Sequence, residues 1–277
     1  MEVRSTQISA DETIKFVFAL SDGHLVEGVL IPKGKRITAC ISSQVGCSLS
    51  CLFCATGRME RARNLTTSEI IEQVLAIKHA AIERYGVGVS NVVYMGMGEP
   101  LLNYAAVTES IRLLSNPATY GIAPKRITVS TAGIAKMIVQ LGEDKVKANL
   151  ALSLHAANDI KRNQIMGINA SNSLDALALA MSEYYRLTKK AITLEYILFQ
   201  DFNDGVGDAM ELADFSKRVP SKINIIEYNP ILDGAFFPSS AERLKAFHQC
   251  LVQQGAVVNL RRSRGKDIAA ACGQLVK

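Results

Sequence analysis

The sequence predicts an α/β fold, an open and partial (β/α)6 barrel of the TIM type with a short antiparallel β extension at its N-terminal end. Three observations lead there. Over residues 37–254, short apolar runs alternate six times with stretches of helical periodicity, as a parallel sheet with helical crossovers requires. Short runs before residue 43 are separated only by tight-turn residues, which suits antiparallel strands. Directly after the last of these runs, three of the chain's six cysteines fall within eight residues.

Residues 1–13 are polar and aperiodic, and are expected to form a loose lead-in. Strands follow at 15–20, 25–32 and 37–43, joined by Ser21-Asp22-Gly23 and Lys33-Gly34-Lys35. The third feeds the cysteine loop. Beyond the loop, Thr66 with Glu69 makes a capping box, and Ile70, Val74, Ile77 and Ala81 recur at helical spacing up to Gly86. Further strands are predicted at 91–95, 126–130, 148–154, 192–198 and 223–228, with helices at 104–115, 134–141, 174–187, 208–217 and 241–254. Eight units would close a barrel, so six leave it open. Residues 1–36 are taken as lead-in and β extension, and 37–277 as the core domain.

Of the 277 residues, 48% are hydrophobic, enough for a large core and too many for a disordered chain. No apolar run is long enough to span a bilayer, and the N-terminus lacks the apolar segment of a secretion signal, so a cytoplasmic protein is expected. The net charge of +5 suits a polyanionic partner without requiring one. Its clustering is more informative. Lys33, Lys35 and Arg36 precede the cysteines, Arg58, Arg61 and Arg63 follow them, and Arg261, Arg262, Arg264 and Lys266 lie near the C-terminus. These three clusters favour phosphate contacts.

Cys47, Cys51 and Cys54 form a C-x3-C-x2-C spacing. Three close thiols in a reducing compartment point to a metal rather than to disulfides. An iron-sulfur cube held by three cysteines keeps one iron open to a small molecule, whereas structural zinc needs a closed fourth ligand. No second ligand pair is found among His24, His79, His155 and His248. The strand ends offer further polar groups. The 91–95 strand runs into Gly96-Met-Gly98-Glu99-Pro100, where glycines allow close backbone approach and Glu99 could accept from an ammonium. Later strands end at Ser130-Thr131-Ala132-Gly133, at Ser153-Leu154-His155 and at Tyr228-Asn229-Pro230. Cys250 lies on an apolar helix stripe and is expected in the core, the default also for Cys40 on its strand.

At these residues the chain resembles a known family. The cysteine spacing, with Phe53 before the last thiol, resembles the radical-SAM enzymes, which bind S-adenosylmethionine (SAM) on the open iron of a [4Fe-4S] cluster. SQVGC, CLFCATG and RNLTTSEI resemble more narrowly the RlmN/Cfr family of RNA adenine methyltransferases, and the likeness runs from about residue 13 to the C-terminus. It implies Cys47, Cys51 and Cys54 as cluster ligands, and Gly98, Glu99, Ser130, Ser153, Leu154, His155 and Asn229 as SAM contacts. It implies Cys272, in ACGQL, as the cysteine that carries the methyl group, Cys40 as its resolving partner through a transient disulfide, and Glu27 as a proton acceptor. Two SAM molecules would serve each turnover, one methylating Cys272 and one cleaved to a radical that abstracts hydrogen from the S-methyl group. The product would be an adenosine methylated at carbon 2, in 23S ribosomal RNA, in transfer RNA or in both. GMGEP and RGKDIAAACGQL suit that carbon, while CATG and YNP also suit the carbon-8 resistance enzymes. Flavodoxin or ferredoxin would supply electrons to a monomeric enzyme. Relatives carry a small helical domain before the first strands, and only about a dozen residues precede them here. A reading from another class, a non-catalytic RNA-binding protein with a structural metal, would leave Cys40 and Cys272 without a task.

Overall fold

A computed structural model describes residues 1–276. Its strands are β1 (Glu2–Ile8), β2 (Ile14–Ala19), β3 (Leu25–Lys33), β4 (Arg36–Cys40), β5 (Gln44–Val45), β6 (Arg63–Asn64), β7 (Asn91–Tyr94), β8 (Ile127–Thr131), β9 (Asn149–Ser153), β10 (Ile192–Leu198), β11 (Ser221–Glu227) and β12 (Val258–Arg261). Its helices are α1 (Thr67–Tyr85), α2 (Tyr104–Ser115), α3 (Ala135–Glu143), α4 (Asp159–Ile165), α5 (Leu174–Thr188), α6 (Val206–Ser216) and α7 (Ala241–Gln253). Ten strands form one sheet in the order β1-β2-β3-β4-β7-β8-β9-β10-β11-β12, with β5 and β6 a separate small hairpin.

The pairing is antiparallel from β1 to β4 and parallel from β4 to β12. Six strand-helix units therefore lead to a seventh parallel strand, and β1 and β12 stay at opposite edges. The barrel is open, as the unit count predicts. Residue 36, where the extension was taken to end, falls at the hairpin between β3 and β4.

Strand alternation separates two chemistries. On the helix-covered side, Val92, Tyr94, Ile127, Val129, Leu150, Leu152, Leu194, Tyr196, Ile223 and Ile225 are all buried in one apolar core. On the other side lie Ser130, Ser153, Glu195, Asn224 and Arg261 in a polar ladder, with Asn224 Nδ2 donating to Glu195 Oε1 (3.0 Å) and Asn259 Nδ2 to Asn224 Oδ1 (3.3 Å). A period of two puts the helices on one face and the site on the other. The capping box on α1 is formed, with Glu69 N donating to Thr66 Oγ1 (3.2 Å) and Thr66 N to Glu69 Oε2 (2.8 Å).

Three elements differ from the sequence expectation. Residues 2–8 are not a loose lead-in but an edge strand, with all seven residues exposed, so no apolar period marks it. β12 is also an edge strand, hidden in the sequence by its shortness and by the polar Asn259 and Arg261. The seven-residue α4 is too short to show a helical period.

Candidate active site

The cysteine loop lies across the carboxyl ends of the parallel strands, where Cys47, Cys51 and Cys54 line one cleft. Local turns set their positions. Cys54 N donates to Cys51 O (3.2 Å), Gly57 N to Cys54 O (3.0 Å), and Leu52 N to Ile165 O at the end of α4 (3.1 Å). Gly57 is needed here, because a Cβ would sit 2.8 Å from Cys51 O. Phe53 lines the same cleft and packs in an apolar cluster with Ile165, Met166 and Phe199, its ring edge-on to His155 at 4.7 Å. Burial pushes the Cys47 thiol up to about 11 and raises those of Cys51 and Cys54; the Cys54 and Cys47 charges raise Cys51 further, and the Cys54 charge also raises Cys47. Thiols so placed need a metal to hold them as thiolates. Among the described residues no three His, Cys, Asp or Glu side chains close on a single point as one metal ion requires. A cube takes one thiolate per iron, so its sulfurs stand apart.

Across the cleft, Glu99 is almost fully buried. Its Oε1 accepts from Leu101 N (2.9 Å) and its Oε2 from Ala132 N (2.7 Å), while burial lifts its carboxyl to about 6. Gly98, at φ 93°, turns the chain so that Glu99 N meets Gln44 Oε1 (2.8 Å), and any Cβ there would lie 2.5 Å from Gln44 Cβ. Ser130 and Ser153 bring their hydroxyls to 3.3 Å. His155 also lines the cleft, with burial lowering its imidazole to about 3 and the Arg162 charge acting in the same direction. It is neutral, and since Nδ1 accepts from Ile197 N (3.1 Å), the ring proton is on Nε2.

The C-terminal tail closes the third side. Gly273 O accepts from Ala55 N (2.7 Å), Leu275 O from Thr56 Oγ1 (2.5 Å), and Cys272 O from Asn229 Nδ2 (3.4 Å). Cys272 thereby reaches the same cleft as the cysteine loop. Arg261 Nη2 donates to Cys272 Sγ (3.5 Å), and its Nη1 stands 3.7 Å from Glu195 Oε2. Cys40, buried at the end of β4, is pushed up to about 12 by burial and by the Cys272 charge, and lowered in part by Arg261. Cys250, on α7, was expected in the core; it is partly buried and packs against the core's edge.

Other residues singled out in the sequence do not line this cleft. Glu27 is fully buried on β3, its Oε1 3.3 Å from Lys15 Nζ and its Oε2 accepting from Val276 N (2.8 Å). Leu154 has its N–H on Glu195 O (3.0 Å) and its carbonyl on Arg162 Nε (3.0 Å). Asn229 lines a neighbouring cavity and leaves Oδ1 buried without a hydrogen-bond partner. The basic clusters are less available than their number suggests. Arg63 pairs with Asp22 and Glu69, Arg58 donates to the carbonyls of Leu232 and Asp233, and Lys266 pairs with Glu227. Arg261 is turned into the cleft.

The sequence profile of the Radical SAM superfamily matches residues 41–213. A probable dual-specificity RNA methyltransferase RlmN from Cytophaga hutchinsonii is 56% identical over 273 residues, covering 99% of this chain and 75% of that protein. The chain belongs to the RlmN family of radical-SAM methyltransferases. A second RlmN, from Salinibacter ruber, is 45% identical over 99% of this chain and 77% of its own length. A radical SAM methyltransferase from Sphaerobacter thermophilus has a crystal structure matching with a TM-score of 0.96 at 38% identity, over 99% of this chain and 80% of that one. The hydrogenase maturase HydG, at 13% identity and a TM-score of 0.60, shares the fold alone.

As a radical-SAM methyltransferase the protein uses a [4Fe-4S] cluster and SAM, and its residues fit both. The cleft offers three soft sulfurs, a glycine turn with no room for a Cβ, and a buried carboxylate placed to receive an ammonium. Sequence reasoning missed Glu195, Arg162 and the inward turn of Arg261. Glu195 sits in an ordinary strand run, Arg162 on an unrecognised short helix, and Arg261 among charges that look solvated. The one available signal was a lone carboxylate inside the apolar strand 192–198.

Proposed function

We propose that this enzyme methylates carbon 2 of an adenosine in 23S ribosomal RNA, and an adenosine of transfer RNA as well, with Cys272 as methyl carrier and Cys40 as its resolving partner. The observation that carries this reading is a cysteine outside the cluster motif, Cys272, lining the cluster cleft with Arg261 on its sulfur, while a second, the buried Cys40, lies near enough to feel the charges of both. General radical-SAM chemistry needs neither cysteine. Carbon 2 of adenine is electron-poor and bears hydrogen, so it cannot attack a sulfonium methyl directly. When bound, the cluster and SAM supply the methyl group and the one-electron chemistry that overcomes this.

The chain's own residues hold and time the reaction. Cys47, Cys51 and Cys54 would ligate the cluster, and Gly98, Glu99, Ser130, Ser153 and His155 would hold SAM, Glu99 at its ammonium and His155 as an Nε2–H donor. Asn229, through the Cys272 carbonyl, steadies the tail that presents the reactive sulfur. Arg261 faces Cys272 directly. While Cys272 carries negative charge, Cys40 is held as a thiol. Methylation neutralises Cys272 and leaves Arg261 to favour the Cys40 thiolate. Once the methylene carbon on Cys272 is bonded to the base and the ring has lost its proton, that thiolate attacks Cys272 Sγ: the S–S bond forms as the Sγ–carbon bond breaks, and the electron pair left on the carbon takes a proton to give the methyl group. Glu27, occupied by Lys15 and the Val276 amide, serves in this scheme to clamp the tail.

RNA enters with the target base unstacked, its phosphates met by exposed basic side chains. No helix among the described residues is long and apolar enough to cross a membrane; we place the enzyme in the cytoplasm, monomeric and reduced by flavodoxin or ferredoxin. The deciding experiment is peptide mass spectrometry of Cys272 after anaerobic reconstitution with iron, sulfide and SAM. A methyl group on that sulfur is expected, and the Cys272→Ala variant should still cleave SAM but leave RNA unmethylated. RNA methylation by Cys272→Ala would overturn the scheme.

A further inference from the structure

Arg162 on α4 is fully buried, which is rare for a charged side chain. Its Nε donates to Leu154 O (3.0 Å), Nη1 to Asn169 Oδ1 (2.7 Å), and Nη2 to Ala132 O (2.5 Å) and Ser153 O (3.3 Å). Every one of these acceptors is neutral. A cation taken out of water calls for an anion, and among the described residues no carboxylate stands within ion-pair distance of this one.

The surroundings indicate which anion it serves. Ala132 and Ser153, held by Nη2, line the cluster cleft, as does Met166 just beyond α4. One turn along the same helix, Ile165 O accepts from Leu52 N, next to Cys51 (3.1 Å). The anionic form of Cys51 is the strongest charge acting on Arg162, ahead of Asp159 on the preceding turn. Hydrogen bonds to the ends of β8 and β9 leave the guanidinium no freedom to turn away.

We propose that Arg162 is the fixed counter-charge of the iron-sulfur cluster and raises its reduction potential. Three thiolates leave a bound [4Fe-4S] cluster with net negative charge, and reduction adds one electron more. A buried cation beside Cys51 stabilises the reduced form over the oxidised one, because low local dielectric leaves the interaction unscreened. Asp159 opposes it. This inference requires only the cluster, and stands whether or not Cys272 carries a methyl group.

The test is the midpoint potential of the reconstituted, full-length protein, read by EPR during an anaerobic redox titration, with iron and sulfide contents matched to the parent. Arg162→Gln should shift the potential to more negative values. Asp159→Asn should shift it to more positive values, because the amide oxygen still accepts from Asn169 Nδ2 (2.8 Å) and Leu174 N (3.0 Å) while the opposing charge is gone. A loaded Arg162→Gln protein with the parent potential, or a higher one, would overturn the proposal. Should Arg162→Gln fail to fold or to take up iron, an unmoved potential in Asp159→Asn overturns it equally.

Discussion

Glu99 and His155 show how burial moves the charge of two side chains in the cleft in opposite directions. Desolvation lifts the Glu99 carboxyl from 4.5 to about 6, while two backbone N–H groups hold its oxygens in place. Below about pH 6 it is protonated and offers no charge to an ammonium; above, it is a carboxylate. SAM affinity is therefore expected to rise with pH through about 6 and to flatten above 7. Glu99→Gln should abolish that rise and weaken binding at pH 7.5 by roughly 10- to 100-fold, the worth of a charge-assisted hydrogen bond. Equilibrium dialysis with labelled SAM across pH checks both. His155 moves the opposite way, from 6.5 to about 3, so it stays neutral over that range and its Nε2–H donor does not titrate away. Its linkage has the corresponding sign. The unfolded chain takes up a proton near 6.5 and the folded chain does not until about 3, so His155 subtracts stability as pH falls through that window.

At the scale of elements, the site depends on turns that only certain residues allow. The loop after β7 passes through φ 93° at Gly98, against Gln44 on the β5–β6 hairpin. Gly98→Ala should cost about 1–3 kcal/mol, from left-handed strain plus a Cβ that forces the hairpin aside. Because the same turn aims Glu99, SAM affinity should fall with stability; urea denaturation and SAM binding on the same protein check it. In the sequence, Gly96-Met-Gly98-Glu99 marked this loop as a place where backbone could approach a ligand closely beside a carboxylate, or turn tightly. The edge strands were not. β1 has neither face covered, and β12 has Leu260 half-exposed and Arg261 in the cleft, so neither shows the apolar pattern by which strands are recognised.

For the molecule as a whole, two long-range arrangements set the chemistry. The first is the tail clamp, in which Glu27 on β3 joins Lys15 on β2 to the Val276 amide. Glu27→Ala leaves a buried lysine without its anion and should destabilise the fold by roughly 3–5 kcal/mol. It should also free the tail, making Cys272 more reactive to iodoacetamide; denaturant melts and alkylation rates check the two effects. The second is the distribution of charge. Lys33 and Arg36 flank the β3–β4 turn, at the amino end of the parallel sheet and a strand's length from the cleft, while several other basic residues are held in internal pairs. RNA affinity is expected to fall with salt, with a slope smaller than the number of basic residues implies. Arg61→Ala and Arg262→Ala should each lower that slope by about one, and Lys35→Ala should leave it unchanged, as read from filter binding over a salt series.

The sequence by itself determined the α/β class, the six strand-helix units, the cluster motif and the glycine-glutamate loop, because each is written in residues close together along the chain. Periodicity, capping and metal-ligand spacing are local properties, and local properties survive without coordinates. Tertiary structure decided everything that depends on which distant residues meet. It turned Arg261 from a surface charge into the partner of Cys272, and brought Cys40 within reach of the charge on a sulfur 232 residues away in sequence. It also gave Glu27 to the tail rather than to the cleft, and buried Arg162 under the cysteine loop. The physical reason is the same in each case: the direction a charged side chain takes is set by the burial and partners that sheet order brings to it, and sheet order is not encoded in any short stretch of sequence.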